Sequence, residues 1–251
     1  ASVALARVHG SEAGASFDIL ARFESEDTRS HAEVMAPFAH AALQEAGVRG
    51  EELDAILTGT GPGPFTGLRA GIVTARALGF AWSVPVYGMM SLTALAERAY
   101  QERVFAQGGG AGEAEGAELL VASDARRREV YSARYRVNTE GYSLVDGPTV
   151  SPASEILPGE GPSYAYGYGA GLYAETLREL GWDLVEAGEG IHPHAEYLLA
   201  AAARRGLDAL SPDTSALYLR DSDAKIPAAM LARQQKQAAR ATAQTVGQRE
   251  G

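Results

Sequence analysis

Between residues 53 and 82 the chain has few conformational choices. An apolar run, Leu53-Asp54-Ala55-Ile56-Leu57-Thr58, passes into Gly59-Thr60-Gly61-Pro62-Gly63-Pro64 and then into Phe65-Thr66-Gly67-Leu68-Arg69 and a stretch of helical periodicity. Glycines alternating with residues that include two prolines exclude a helix at 59–64, because proline removes a donor and glycine a side chain. The pattern therefore predicts a buried strand, a tight turn and a helix over 67–82 with Thr66 as its N-cap. A strand, a Gly-rich turn and a helix N-terminus favour negative charge through exposed N–H groups and the helix dipole. Gly61, Gly63, Thr66 and Arg69 are the candidate anion or nucleotide contacts in this turn. The Lys-Ser/Thr pair of a P-loop and the spacing of a dinucleotide fingerprint are both absent. A tight structural connection accounts for the same residues.

The helix carries a second constraint. Gly67, Gly71, Ala75 and Gly79 recur every fourth residue, flanked by Ala70 and Thr74, so one narrow face carries very small side chains. Each interior glycine costs about 1 kcal/mol of helix stability relative to alanine. Close approach of another backbone would offset that cost. The approaching element is either the chain's own sheet or a partner chain. Leu68, Ile72 and Leu78 stand on other faces and are available to an internal core.

Elsewhere the same rules give an α/β chain. Alternation at 2–8 and 15–24 about a Gly10–Gly14 turn predicts a β-hairpin. Ser30 with Glu33 forms a capping-box pattern ahead of a helix that runs to Gly47 and carries Val34, Met35 and Phe38. A short extended piece at 85–88 precedes a helix at 91–101. Residues 107–116, rich in Gly, Ala and Glu, predict a loop at a lobe boundary. A hairpin follows at 118–137, with Asp124 at the end of its first strand, as a turn residue or a ligand contact. Tyr164, Tyr166 and Tyr168 share one face of a strand, and helices follow at 171–180 and 194–203. The expected organisation is a first lobe at 1–103, a second lobe at 104–190, a return helix and strand at 191–222, and a disordered basic tail at 223–251.

Composition narrows the function classes. The formal net charge of −10 argues against a chain that grips nucleic acid unaided. With no cysteine, disulfides, thiolate catalysis and cysteine-ligated metals are excluded. No apolar run reaches the roughly 20 residues of a transmembrane helix, and no signal peptide is visible. His192 and His194 flank Pro193 in what predicts a loop or helix start, and no metal site is expected. No Gly-x-Ser-x-Gly nucleophile motif is present, which leaves a peptidase reading weak.

Taken in order, several blocks resemble the TsaB (YeaZ) family. Gly61-Pro-Gly-Pro-Phe-Thr-Gly-Leu-Arg-Ala-Gly71 is similar to its Gly-Pro-Gly-Ser-Phe-Thr-Gly-hydrophobic-Arg-x-Gly signature. The His31-Ala-Glu helix, Ser123-Asp124-Ala125-Arg126 with Glu129-Val130-Tyr131, and Leu217-Tyr218-Leu219-Arg220 resemble further family blocks. The resemblance implies an actin-like ATPase fold (sugar-kinase/Hsp70/actin, RNase H-like) of two lobes. It also implies a non-catalytic subunit in the making of threonylcarbamoyladenosine beside the tRNA anticodon. In that family a sister subunit, TsaD, performs the transfer and the ATPase TsaE is a third partner.

Several expectations follow from that resemblance. The chain pairs with a TsaD-like subunit through its first two helices, here about 30–46 and 66–82, with Val34, Met35, Phe38, Gly67, Ala70, Gly71, Thr74, Ala75 and Gly79 at the contact. No cofactor is held tightly, ATP is used by the complex, tRNA is met only through it, and a homodimer is possible when the partner is missing. The place is the cytoplasm, with no membrane contact. The sister subunit's metal-binding His-x-x-x-His falls here on Ser91 and Leu95, neither of which replaces an imidazole. The family's opening Leu-Ala-Ile-Asp-Thr-Ser strand is not found before Ser2, so the true start is expected upstream. The alternative function is an independent small-molecule kinase or ATPase of the same fold, which would need that strand's carboxylate.

Overall fold

The computed structural model describes residues 1–25, 27, 31–102, 115–138, 140–185 and 191–220. The alternating runs at the start form a hairpin, β1 (Ser2–His9) and β2 (Ser16–Glu24), antiparallel from Ser2↔Glu24 to His9↔Ser16. Helix α1 (His31–Ala46) follows and packs on this hairpin, where Phe38 stacks on Phe23 with ring centroids 5.9 Å apart. The expected cap Ser30 lies outside the described residues. Next come β3 (Ile56–Gly59), α2 (Phe65–Trp82), β4 (Val86–Met89) and α3 (Leu92–Tyr100), with β3 and β4 paired in parallel. Among the described residues no ladder joins the β1–β2 pair to the β3–β4 pair.

A five-stranded sheet follows. It contains β5 (Glu118–Asp124), β6 (Val130–Asn138), β7 (Gly141–Ser151), β8 (Ser163–Tyr166) and β9 (Asp183–Leu184), in the order β7-β6-β5-β8-β9. Successive residues of β5 serve opposite faces, as the two-residue period demands. Leu119 and Val121 meet Leu92, Leu95 and Ala99 of α3; Leu120 and Ala122 meet Leu177 and Trp182 on the other side. Helices α4 (Tyr168–Leu172) and α5 (Ala174–Glu179) cover that second face. Helix α6 (Ala195–Arg205) returns to the first elements, packing Leu198, Ala201 and Ala202 on Met89 and Ala94. By proximity along the fold, Ala1–Leu219 forms one unit and Arg220–Gly251 a second, of which only Arg220 is described.

Four expectations need correcting. Helix α2 begins at Phe65 with Pro64 at the cap, whose carbonyl accepts the Leu68 N–H at 2.9 Å, so Thr66 lies in the first turn and does not cap. The strand expected to run to Tyr168 ends at Tyr166, because Gly167 takes φ +100° and turns the chain into α4. The helix expected at 171–180 is broken at Tyr173, φ −120°, into α4 and α5. Of the return strand expected within 191–222, the described residues 191–220 make no ladder; Ser211 contributes one isolated bridge to Gly88. Strand β7 was not legible at all, since its Gly147-Pro148 pair reads as a turn. The loop expected at 107–116 falls mostly, and the tail expected at 223–251 wholly, outside the described residues.

One buried charge organises these layers. Glu97 of α3 is fully buried. Its carboxylate accepts from Arg204 Nε (2.8 Å) and Nη2 (2.6 Å), from the Tyr142 hydroxyl (2.9 Å) and from Gln101 Nε2 (2.8 Å). Arg204 also lies over the Tyr100 ring, 4.4 Å from its centroid. Burial, and then the neighbouring Glu97 charge, push the Tyr142 hydroxyl well above its ordinary pKa, so it stays a donor. Glu97→Ala leaves the guanidinium without its bidentate partner and is expected to cost about 3 kcal/mol, the lower end for a broken buried pair because Arg204 reaches solvent. Urea unfolding followed by circular dichroism should show Glu97→Leu with Arg204→Leu costing less than the two single changes summed.

Candidate functional site: the loop and helix at residues 59–82

The turn between β3 and α2 is bonded into the protein on both sides. Thr60 N–H donates to Met89 O (2.8 Å), and Thr60 O accepts the Leu217 N–H (2.8 Å). Gly61 N–H donates to Ser91 Oγ (2.9 Å), while Ser91 N–H donates to Gly61 O (2.7 Å). A Cβ on Gly59 would stand 2.7 Å from Ser91 Oγ, and one on Gly61, φ +99°, 2.9 Å from the Leu68 side chain. These glycines are therefore required by the close approach of Ser91 and Leu68. The N–H groups of Thr60 and Gly61, which an anion cradle would need, are already used internally. Gly63 is different: a Cβ there would meet nothing within 4 Å.

Arg69, expected as an anion contact, is held by aromatic groups instead. Its guanidinium stacks 3.8 Å from the Phe65 ring centroid, and its Nε donates to the Tyr218 hydroxyl at 2.7 Å. Phe65 and Tyr218 are themselves 5.3 Å apart. Two helical turns further on, Arg76 Nε donates to Thr214 Oγ1 at 2.7 Å. Residues 213–218 thus lie along α2, fixed also by Ser215 N–H donating to Asp213 (2.8 Å); the Ser215 side chain, and then this N–H, hold the Asp213 carboxyl below its ordinary pKa. Asp124 is not in this group. Its Oδ1 accepts the Arg126 N–H (2.7 Å) and its Oδ2 pairs with the Arg126 guanidinium (3.1 Å), both within its own hairpin.

The small stripe of α2 divides. Ala75 and Gly79 are buried, and a Cβ on Gly79 would collide with Val86 and stand 2.9 Å from Val84 O. Gly79 is thus used by the chain's own β4. Gly71 has nothing within 4 Å of its would-be Cβ, and Gly67, Ala70 and Thr74 are partly exposed. The outward residues of α2 are large: Phe65 is 54% exposed, Val73 64% and Phe80 89%. Among the α1 candidates, Val34, Met35 and Phe38 are half-buried, with Phe38 taken up by Phe23. Helical spacing marked the small positions but could not mark Val73 and Phe80 as outward.

The position expected to show the loss of metal ligands is committed to packing. Leu95 is fully buried against the five-stranded sheet and Ser91 fastens the turn. Of the described residues, none form a group of three or more His, Asp or Glu that could hold a metal ion. His192 stacks on Tyr168 (4.8 Å between centroids), whereas His194, at the cap position of α6, stands 3.3 Å from Glu24. No described helix is long and apolar enough to cross a membrane.

A family described as TsaD, tRNA N6-adenosine threonylcarbamoyltransferase, matches residues 18–228. The chain belongs to that family. It is 28% identical over 211 residues to the tRNA threonylcarbamoyladenosine biosynthesis protein TsaB of Escherichia coli, covering 79% of this chain and 85% of that protein. It is also 43% identical over 133 residues to the uncharacterized protein Mb3455c of Mycobacterium bovis, and 36% identical over 206 residues to ML0378 of Mycobacterium leprae. The chain spans about half the length of these mycobacterial relatives, 54% and 49%. The solved structure of YeaZ from Pseudomonas aeruginosa superposes with a TM-score of 0.65 at 29% identity, covering 86% of this chain and 99% of that one. A second Pseudomonas aeruginosa structure, of a protein with similarity to peptidase YEAZ, gives 0.66. The fold is accordingly the mixed α/β, actin-like ATPase type.

Two measurements follow. Gly71→Ala is expected to raise the melting temperature slightly, through a gain in helix propensity of up to about 1 kcal/mol. Gly79→Ala is expected to lower it, because β4 must move. His194 has its pKa lowered by burial, with Glu24 opposing. Its native state therefore favours the neutral ring, and stability falls as pH drops below the unfolded value of about 6.5. His194→Asn should flatten that part of a stability–pH curve measured by thermal melts.

Proposed function

We propose that the chain is a non-catalytic scaffold or activating subunit that pairs with a TsaD-like protein in threonylcarbamoyl transfer to the tRNA adenosine next to the anticodon. The observation that carries this reading is the state of the turn. Its Thr60 and Gly61 N–H groups and Arg69 are taken by the chain's own Met89, Ser91 and Tyr218 rather than left to a phosphate. Ser91 and Leu95 stand where the catalytic sister is expected to hold its histidines, and both are occupied with packing. Similarity to TsaB over most of the chain points the same way. In this reading the chain holds no cofactor tightly, ATP is consumed by the complex with a TsaE-like ATPase, and tRNA is bound by the assembly in the cytoplasm. Without the partner the same surface can join two copies.

The docking surface is the outward face of α2 that carries the exposed apolar side chains Val73 and Phe80, seven residues apart and so on one side of the helix, with α1 packed on the same helix. Charge placed there should act on association and not on folding, since these side chains already face water. Val73→Asp with Phe80→Asp is expected to weaken binding of a TsaD-like subunit at least tenfold by calorimetry, with an unchanged melting temperature. Association that survives both changes would sink the α2 surface. Tight ATP–Mg binding with turnover by the isolated chain would favour the independent kinase or ATPase instead.

A further inference from the structure

The outward face of α2 is more than apolar. At about 100° per residue, Phe65, Arg69, Val73, Arg76 and Phe80 fall within roughly 80° of one another and form one row along the helix. All five are exposed. Apolar and basic side chains alternate along the row, and Arg69 and Arg76 stand about 10 Å apart along the axis. Residues 65–82 include no Asp or Glu, although the chain as a whole carries a formal net charge of −10. The groups that hold the two arginines are neutral. Arg69 lies over the Phe65 ring and donates through Nε to the Tyr218 hydroxyl, and Arg76 donates through Nε to Thr214 Oγ1. Among the described residues neither is ion-paired with a carboxylate. Asp213 registers the Arg76 charge, but only after its two bonds with Ser215. Each guanidinium is therefore fixed through its inner nitrogen, with its charge uncancelled and its outer fork in water.

That row fits a second copy of the chain poorly. A two-fold interface sets a surface against itself. Antiparallel helices crossing at the middle of the row bring Arg69 opposite the second copy's Arg76, twice over, and parallel helices bring each arginine opposite its own counterpart. Either way like charges meet at the centre of the contact, which disfavours it. A different chain with carboxylates in those places gains instead, because a guanidinium fork already held in position loses little freedom on pairing. We infer that Arg69 and Arg76 select the occupant of α2. That occupant is a surface of the TsaD-like subunit which is apolar along its middle and carries two carboxylates about 10 Å apart, the spacing of residues one heptad apart on a helix. The inference rests on the pairing proposed above and adds to it the charge that makes a different chain preferred over a second copy.

The test uses the full chain, titrated with its TsaD-like subunit by calorimetry at low and high salt, and sedimented alone to measure self-association. It compares the wild type with Arg69→Gln/Arg76→Gln and with Arg69→Lys/Arg76→Lys. The glutamine pair should bind the TsaD-like subunit about tenfold more weakly at low salt and lose most of the salt dependence of the wild type. It should also self-associate more tightly than the wild type, since like charges no longer oppose. The lysine pair gives up the same Nε bonds to Tyr218 and Thr214 but keeps the charge. It should keep the salt dependence and bind within about threefold of the wild type. If the lysine pair binds as weakly as the glutamine pair, the inference is overturned, because the arginines then act by holding residues 213–218 in place. Wild-type affinity in the glutamine pair overturns it too and leaves the pairing standing. So does self-association no tighter in the glutamine pair than in the wild type. A wild type that does not bind the TsaD-like subunit at either salt concentration defeats the proposed pairing itself, and the inference falls with it.

Discussion

The buried Glu97 carboxylate sets the arrangement of everything around it. A carboxylate removed from water must be compensated at every oxygen, or its desolvation costs several kcal/mol. Here the compensation comes from α6 through Arg204, from β7 through Tyr142 and from Gln101, the residue that caps the end of α3. Three elements distant in sequence are thereby placed about one point. Because α3 also packs Leu92, Leu95 and Ala99 on the five-stranded sheet, the position of α6 relative to that sheet follows from the same ion pair. A second polar arrangement works alike at lower cost: Arg134 joins buried Glu118 at 2.9 Å and Asp146 at 2.9 Å, tying β5, β6 and β7.

The turn before α2 depends on this frame through Ser91, which opens α3. Its hydroxyl and N–H together take both backbone groups of Gly61, so the turn cannot move without α3. That rigidity fits a docking element better than a phosphate cradle, since a cradle keeps its N–H groups for the ligand. The glycines on either side of Ser91's reach exist for contact within the chain. What remains open on α2 is the face of Val73 and Phe80, with Gly71 uncovered on another side of the helix.

Local grammar made much of the fold legible. The hairpin at the start, the β3–turn–α2 unit, the β5–β6 hairpin and α6 all follow from periodicity and from glycine and proline placement, within a few residues. Where expectation failed, a tertiary contact or a single backbone angle won over pattern. Tyr168 continues the alternation of Tyr164 and Tyr166, yet Gly167 turns it out of the strand. Strand β7 contains a Gly-Pro pair that marks a turn in isolation, and pairing with β6 overrides it through two irregularities in register. The candidate site was legible as a location but not in its chemistry. Arg69 looked available to an anion, while its partner Tyr218 is 149 residues away and no local pattern announces it.

By itself, then, the sequence determined the order of most strands and helices, β7 and β9 excepted, and the spacing of small residues along α2. These depend on backbone sterics and on periods of two and 3.6 residues, which act between near neighbours. Only the tertiary structure decided which way each spaced position faces. Gly71 and Gly79 are equivalent in the stripe, but one meets open space and the other lies against Val84 and Val86. The physical reason is that periodicity specifies angles around a helix, whereas the neighbour at each angle is supplied by chain from elsewhere. The same division holds at Arg126–Arg128: the residues are plain in the sequence, and their left-handed backbone is set only when β5 and β6 are paired.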